Sequence, residues 1–441
     1  MSKHNDKLSD SGLESKNSDL NQKESQSSQI KRRKFLGLGA LGLASLPFSG
    51  LANKGSGIES LLSQSNMGEG ISFNSKKLFV MDGHIHVMSR QLLQNLNIGD
   101  RYPDGTVDLP RIIEGGINAC FFSVYTPEPY YPGRHEVKNT FRIVEVALQQ
   151  IEKNNAKIEL ALNASDIVRI SKKGKVAAFL DLEGGFDLDG DLNILRALYR
   201  LGLRSAQLTA HNDSNSFIDA CYGKRLWGGI NAHGRELIAE MNRLGMMINV
   251  AHASDEAILQ SVEASSDPVI YSHGGFRGIV DNKRCISDHA AKALAAKGGV
   301  IGLQFGSGFN DPNYSKWIKL SNPVEKPPLI PISKDATIEE VDKMAATELP
   351  FVPATEIPEE YKMDVAQLAR VIDYGVNLVG EDHVAFGCDF DGGIPLARQM
   401  KDISDYPEII KAIRALGYSD ERVRKICGLN WLRVIRKVTE S

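Results

Sequence analysis

The 441-residue chain is close to charge balance, with 52 Lys/Arg against 55 Asp/Glu. It therefore lacks the basic surplus that marks a nucleic-acid binder. Its five cysteines include no CxxC pair and are odd in number, which argues against a disulfide framework and for plain buried thiols.

Residues 1–30 are polar and rich in Ser, Lys, Asn and Asp, a composition that reads as a disordered tail. Lys31-Arg32-Arg33-Lys34-Phe35-Leu36 then leads into a short Gly/Ala/Leu-rich stretch that ends at Ala52. An arginine pair, an apolar run too short to span a bilayer, and small residues at Gly50 and Ala52 identify 31–52 as a signal peptide. It resembles the bacterial twin-arginine export signal, an address read by the export machinery rather than an anchor. The expectation is an exported, periplasmic protein whose mature part, 53–441, is a single domain. The leader holds 8 of the 52 Lys/Arg and 5 of the 55 Asp/Glu, leaving 44 positive and 50 negative residues and a formal charge of −6. No later stretch reaches the roughly 18 uninterrupted apolar residues of a membrane span.

Beyond residue 76, apolar strand-like runs alternate with segments of helical period. The predicted strands are 78–84, 117–125, 176–183, 205–211, 246–252, 268–273, 299–305 and 383–389. Amphipathic stretches lie between them, among them 140–153, 191–201, 234–244, 255–264, 288–297 and 365–379. Ser254 and Ser287 stand where helix N-caps belong, and Gly202, Gly245 and Gly298 where helices should stop. Continuous apolar strands alternating with helices describe a parallel sheet covered on both faces. Eight such units predict an α/β fold of the (β/α)8 TIM-barrel type. Two regions break the pattern. Residues 310–360, between strands seven and eight and rich in Pro and charge, read as an insertion or lid. Residues 125–135, with three prolines among tyrosines, are placed to line the mouth of a pocket.

The strand endings carry the chemistry. Asp82-Gly83-His84-Ile85-His86, Asp181-Leu182-Glu183-Gly184-Gly185, Leu208-Thr209-Ala210-His211, Ile248-Asn249-Val250-Ala251-His252 and Ile270-Tyr271-Ser272-His273 each end an apolar run on a metal-ligand type of residue. A further run closes on Cys388-Asp389-Phe390-Asp391-Gly392. In a parallel barrel these endings converge on one face. His84 and His86, two apart on a strand, point the same way. One ion can take both, Glu183 has two oxygens with which to bridge, and His252 and His273 can hold a second ion. Nitrogen ligands with one carboxylate favour zinc, with manganese and cobalt as alternatives. A lone histidine near a strand end is usually structural, but here five of the ten histidines fall at predicted carboxyl ends. His4, His135, His233, His289 and His383 do not, and Glu114-Gly115-Gly116 precedes a strand, so none of these is counted. Asp389 could move a proton between water and a leaving amine, His211 could hydrogen-bond a carbonyl as it becomes an oxyanion, and Arg284 or Arg277 could clamp a substrate carboxylate.

With these residues in view, the chain resembles the membrane dipeptidase (renal dipeptidase) family of zinc peptidases, from about residue 79 to 434. The likeness is strongest in 245–254, 268–273 and 389–392, with support from 183–185, 208–212 and 430–434. The resemblance implies two divalent ions, zinc before others, with Glu183 bridging and His252 and His273 on the second ion. It implies His211 as the substrate-polarising histidine, Asp389 as acid/base and Arg284, rather than Arg277, as the carboxylate reader. The implied reaction is attack of a metal-bridging hydroxide on a dipeptide, with tolerance of a D-residue at the carboxyl end. A homodimer is compatible with this reading. One departure stands out: the family's usual His-x-Asp is here His84-Ile85-His86. Another amidohydrolase on the same barrel, acting on N-acyl amino acids or lactones, and a binding protein without catalysis are the competing readings.

Overall fold

The computed structural model describes residues 78–126, 135–184, 190–209, 211–321, 333, 335–347 and 357–441. The tail, the predicted signal peptide, Gly185, Ala210, most of the proline-rich loop at 125–135 and much of the insertion lie outside the described residues.

Among the described residues, nine strands form one parallel sheet: β1 (Met81–Ile85), β2 (Ala119–Tyr125), β3 (Ile158–Leu160), β4 (Val176–Glu183), β5 (Leu203–Gln207), β6 (Met247–Asn249), β7 (Ile270–Gly274), β8 (Val300–Leu303) and β9 (Val384–Phe386). The pairing runs β1-β2-β4-β5-β6-β7-β8-β9. A parallel bridge between Ile85 and Phe390 draws the ends together, through Asp389 N to His84 O and His86 N to Phe390 O, both 2.9 Å. The expected eight-stranded barrel is therefore present, with one strand that the pattern did not predict. β4 is eight residues long; Val176–Ala178 pair with β3, and Leu180–Leu182 with β5. β3 escapes a sequence reading because Ile-Glu-Leu is too short to show a period.

The helix stops and starts fall where expected. Ser254 and Ser287 side chains accept from Ala257 N and Ala290 N, and Gly245 ends its helix at φ +69°. Every residue of β4 is buried, as a strand covered on both faces must be. Outward side chains such as Phe122, Leu180 and Leu182 pack under the helices. Inward ones at the amino end, Met81, Phe121, Phe179, Met247, Ile270 and Val300, form an apolar floor together with Trp431 of the last helix (Asn430–Thr439). Trp431 is fully buried, its ring lies tilted 5.2 Å from that of Phe121, and it donates to Phe386 O at 2.8 Å. Its ring occupies the place where a side chain on Gly83 would stand. Above the floor the interior turns polar, with Ser123, Asp181, Asn249 and Ser272 all buried.

Inside the insertion, a helix at Pro312–Ser321 and another at Ile338–Ala346 are formed. The second packs Val341 and Ala345 near Leu93, and Arg142 pairs with Asp342 at 2.6 Å.

Candidate active site

All eight residues singled out in the sequence meet at the carboxyl mouth of the barrel. His84 is fully buried, and His86, Glu183, His211, His252, His273, Arg284 and Asp389 line a cavity of about 580 Å³ directly above it. The chain reaches them in two ways. Glu183 and His273 lie within β4 and β7, whereas His211, His252 and Asp389 stand three or four residues past β5, β6 and β9. These last three have left-handed backbones, with φ of +51°, +65° and +66°. Non-glycine residues take that conformation at a cost and concentrate at functional sites. The predicted strands, drawn out to those residues, were too long for this reason. Gly184, at φ +101°, supplies the tight turn expected after Glu183.

The donor atoms form two triangles that share one carboxylate. His84 Nε2, His86 Nε2 and Glu183 Oε2 are 3.3, 3.0 and 3.1 Å apart. His252 Nε2 and His273 Nε2 are 3.1 Å apart and lie 3.4 and 3.6 Å from the other oxygen, Glu183 Oε1. Zinc–ligand bonds of about 2.1 Å in a tetrahedron would place donors roughly 3.4 Å apart. The residues present thus fit two ions bridged by Glu183, in donor type and in spacing. Asp389 Oδ1 lies 3.1 Å from His86 Nε2 and 3.8 Å from His84 Nε2, at the edge of the first triangle.

Supporting groups that sequence reasoning did not single out hold this geometry. Ser123 Oγ donates to Glu183 Oε2 at 2.9 Å. Asn212 Oδ1 sits 3.0 Å from His252 Nδ1, and Ser272 Oγ 2.9 Å from His273 Nδ1. Such partners on the far ring nitrogen fix tautomer and ring orientation. Gln304, just past β8, donates from Nε2 to Asp389 Oδ2 at 2.5 Å. It stands one residue before the end of the predicted strand 299–305, a weaker form of the signal the histidines gave and on a residue that does not ligate. Below, Asn249 Nδ2 reaches Asp181 Oδ2 at 3.1 Å, and Asp181 Oδ2 lies 3.7 Å from His84 Nδ1.

The two triangles differ electrically. Burial opposes charge on His84 and His86, yet Glu183 beside both, and Asp389 beside the second, hold them up at about 9 and about 10. Burial would also raise the Glu183 carboxyl, but His84 and His86 hold it well below the usual carboxylate range. Burial pushes His252 and His273 well down, reinforced by the nearby Arg284 guanidinium. Arg284 is itself only 3 % exposed. Its Nη1 donates to Tyr271 Oη at 2.7 Å and its Nη2 to His273 O at 3.0 Å. Among the described residues it has no carboxylate partner. Arg277, the alternative, pairs instead with Asp255 and donates to Cys285 O. His135, His233 and His383 bond to Ala336 O, Glu236 and Gly299 O, away from the cavity. All five cysteines are buried and free.

A parallel β/α barrel with a buried, carboxylate-bridged histidine cluster under an open cavity defines a metal-dependent hydrolase. The chain belongs to the membrane dipeptidase family, peptidase family M19, whose family model matches residues 72–441. It is accordingly a metal-dependent dipeptidase. Dipeptidase tcpJ of Claviceps purpurea is 28% identical over 375 residues, covering 81% of this chain and 77% of that protein. Dipeptidase verJ of Clonostachys rogersoniana is 26% identical over 343 residues, 76% of each. Among solved structures, the probable dipeptidase PvdM of Pseudomonas aeruginosa matches at TM-score 0.69 and 23% identity, covering 83% of this chain and 96% of that one. A metallo peptidase of Rhodobacter sphaeroides, liganded with a phosphinate mimic of L-Ala-D-Ala, matches at 0.65 and 22%, covering 82% and 100%. At these identities the solved structures speak to the fold.

Proposed function

We propose that this chain hydrolyses free dipeptides with two divalent ions, zinc in preference to manganese or cobalt, after export to the periplasm. One observation carries the substrate class: Arg284 is a buried guanidinium without a carboxylate partner among the described residues, at the edge of the cavity that the ligand cluster floors. A buried unpaired charge is costly, and a substrate carboxylate bound bidentately would relieve it.

His84, His86 and Glu183 Oε2 would hold one ion, and Glu183 Oε1, His252 and His273 the other. When bound, such a pair polarises a carbonyl and makes a water acidic near neutral pH. Asp389 keeps one oxygen on Gln304 and turns the other toward the imidazoles. There it can take a proton from water and return it to the departing amine. His211 is partly exposed and its ring stands 4.2 Å from that of His252, so it can donate to the carbonyl oxygen as negative charge develops there. Arg284 orients the residue that leaves.

A D-residue at the carboxyl end is part of the proposal; the Rhodobacter relative's L-Ala-D-Ala mimic supports it. Export rests on the arginine pair and apolar run at 31–52. Among the described residues no helix is long and apolar enough to cross a membrane.

The test is elemental analysis of the purified protein alongside hydrolysis of L,L- and L,D-dipeptides, each with an N-acetylated control. About two ions per chain with cleavage of free dipeptides only is expected. Cleavage of the acetylated compounds instead would move the protein to the N-acyl amidohydrolase reading. Replacing both Arg32 and Arg33 by Lys should leave the full-length precursor in the cytoplasm if the export signal is of the twin-arginine type.

A further inference from the structure

The cavity is larger and more apolar than a dipeptide of two small residues requires. At about 580 Å³ it lies in the range that takes drug-sized ligands. Its polar groups gather at the cluster, His211, Asn212, Asp281, Asn282 and Arg284, and one wall, apart from Ser315, is apolar. That wall begins at Phe309, whose ring lies 5.8 Å from the Arg284 guanidinium and whose carbonyl oxygen is 3.7 Å from Cys285 Sγ. It continues into the helix Pro312–Ser321, which presents Tyr314 and Ile318 to the cavity. These are four apart and so share one face. Ile394 completes it from the Asp389 side, packed against Gly306, where an added side-chain carbon would stand 3.0 Å from Ile394 Cβ. All four side chains are only partly buried by the protein itself.

The direction in which this wall faces follows from the assignment of ends under Proposed function, on which the inference rests. The leaving residue has its nitrogen at Asp389 and its carboxylate at Arg284. The segment 306–309 runs from Gly306 beside Ile394 to Phe309 beside Arg284, and the helix that follows carries Tyr314 and Ile318 along the same cavity. The side chain of the leaving residue, directed away from the ligand cluster, therefore meets Phe309, Tyr314, Ile318 and Ile394. We infer that this wall is the specificity pocket of the enzyme and that it selects a large apolar or aromatic side chain on the carboxyl-terminal residue of the dipeptide. The chemistry is simple desolvation: a small or charged side chain there would leave four apolar groups wet or would itself lose water without a partner.

The experiment uses two dipeptides of the same composition in opposite order. On the full-length protein loaded with zinc, kcat/KM is measured for Phe-Gly and for the better of Gly-L-Phe and Gly-D-Phe. Binding one large apolar side chain discriminates by about 10- to 200-fold. Gly-Phe is expected to exceed Phe-Gly by at least tenfold, and Gly-Asp to fall below both. Ile318→Asp and, separately, Tyr314→Ala are expected to shrink the Gly-Phe to Phe-Gly ratio severalfold. A ratio taken on one preparation is unaffected by loss of folded protein. Equal rates, a preference for Phe-Gly, or a ratio that neither substitution moves would overturn the pocket while leaving the dipeptidase reading intact. Failure to cleave any free dipeptide would overturn that reading and the pocket with it.

Discussion

The two triangles of the ligand cluster have the same donor atoms in nearly the same geometry, and yet they sit in opposite fields. His84 and His86 are set among carboxylates: Glu183 at 3.0 and 3.1 Å, Asp389 at 3.8 and 3.1 Å, and Asp181 beneath. His252 and His273 share Glu183 at longer distance, 3.4 and 3.6 Å, and Arg284 faces them as a buried cation. Donor identity alone would make the halves equivalent. By their charges the surroundings favour a cation more in the first than in the second, which faces Arg284, the group proposed above to read the substrate carboxylate. The replacement of the family's usual carboxylate by His86 is softened by this arrangement, because Asp389 Oδ1 reaches the same triangle.

The severest way to break the comparison is to remove the residue both halves share. Glu183→Gln is expected to lose both ions and to lower kcat roughly a thousandfold or more, read by elemental analysis and dipeptide turnover. Next, His84→Ala and His252→Ala should differ although each deletes one ligand. After dialysis against a chelator, the His252 variant is expected to keep one ion and the His84 variant close to none. Equal retention would mean the surrounding charges do not govern affinity. Arg284→Met should cut kcat/KM for free dipeptides about 10- to 100-fold, mainly through KM, as loss of a charge-assisted pair predicts. It should also tighten the ion held by His252 and His273, by removing the cation that opposes it. The mildest change is Ser272→Ala, which frees His273 Nδ1 from its partner. It should weaken metal binding about tenfold, measured by competition with a chromogenic chelator, with no effect on the His84 half.

How far this was legible in the sequence differs between the two kinds of residue. Ligands of a barrel must terminate apolar strands, and a histidine ending such a run is visible as a change in polarity. His84, His86, Glu183 and His273 were found because strand and ligand are contiguous. His211, His252 and Asp389 were found too, but as strand residues; the left-handed turns that carry them have no glycine to announce them. Ser123, Ser272 and Gln304 carry no comparable signal, because a short polar side chain inside a barrel looks like any buried serine or glutamine until its partner is known. β3 was too short for a period to register. The helix Pro312–Ser321 was hidden inside a stretch read as one proline-rich insertion. Two residues of that stretch, Tyr314 and Ile318, line the cavity.

Trp431 has a consequence for how the molecule comes into being. The indole that stoppers the barrel belongs to the last helix, while Gly83, which makes room for it, belongs to the first strand. A growing polypeptide can lay down its strands in order as it leaves the ribosome, but until its final turns emerge the floor stands open, with Phe121 and Phe179 uncovered. Closure of the floor therefore waits on the helix Asn430–Thr439, and a chain cut before it would expose that apolar floor, a surface prone to aggregation, rather than give a slightly smaller enzyme.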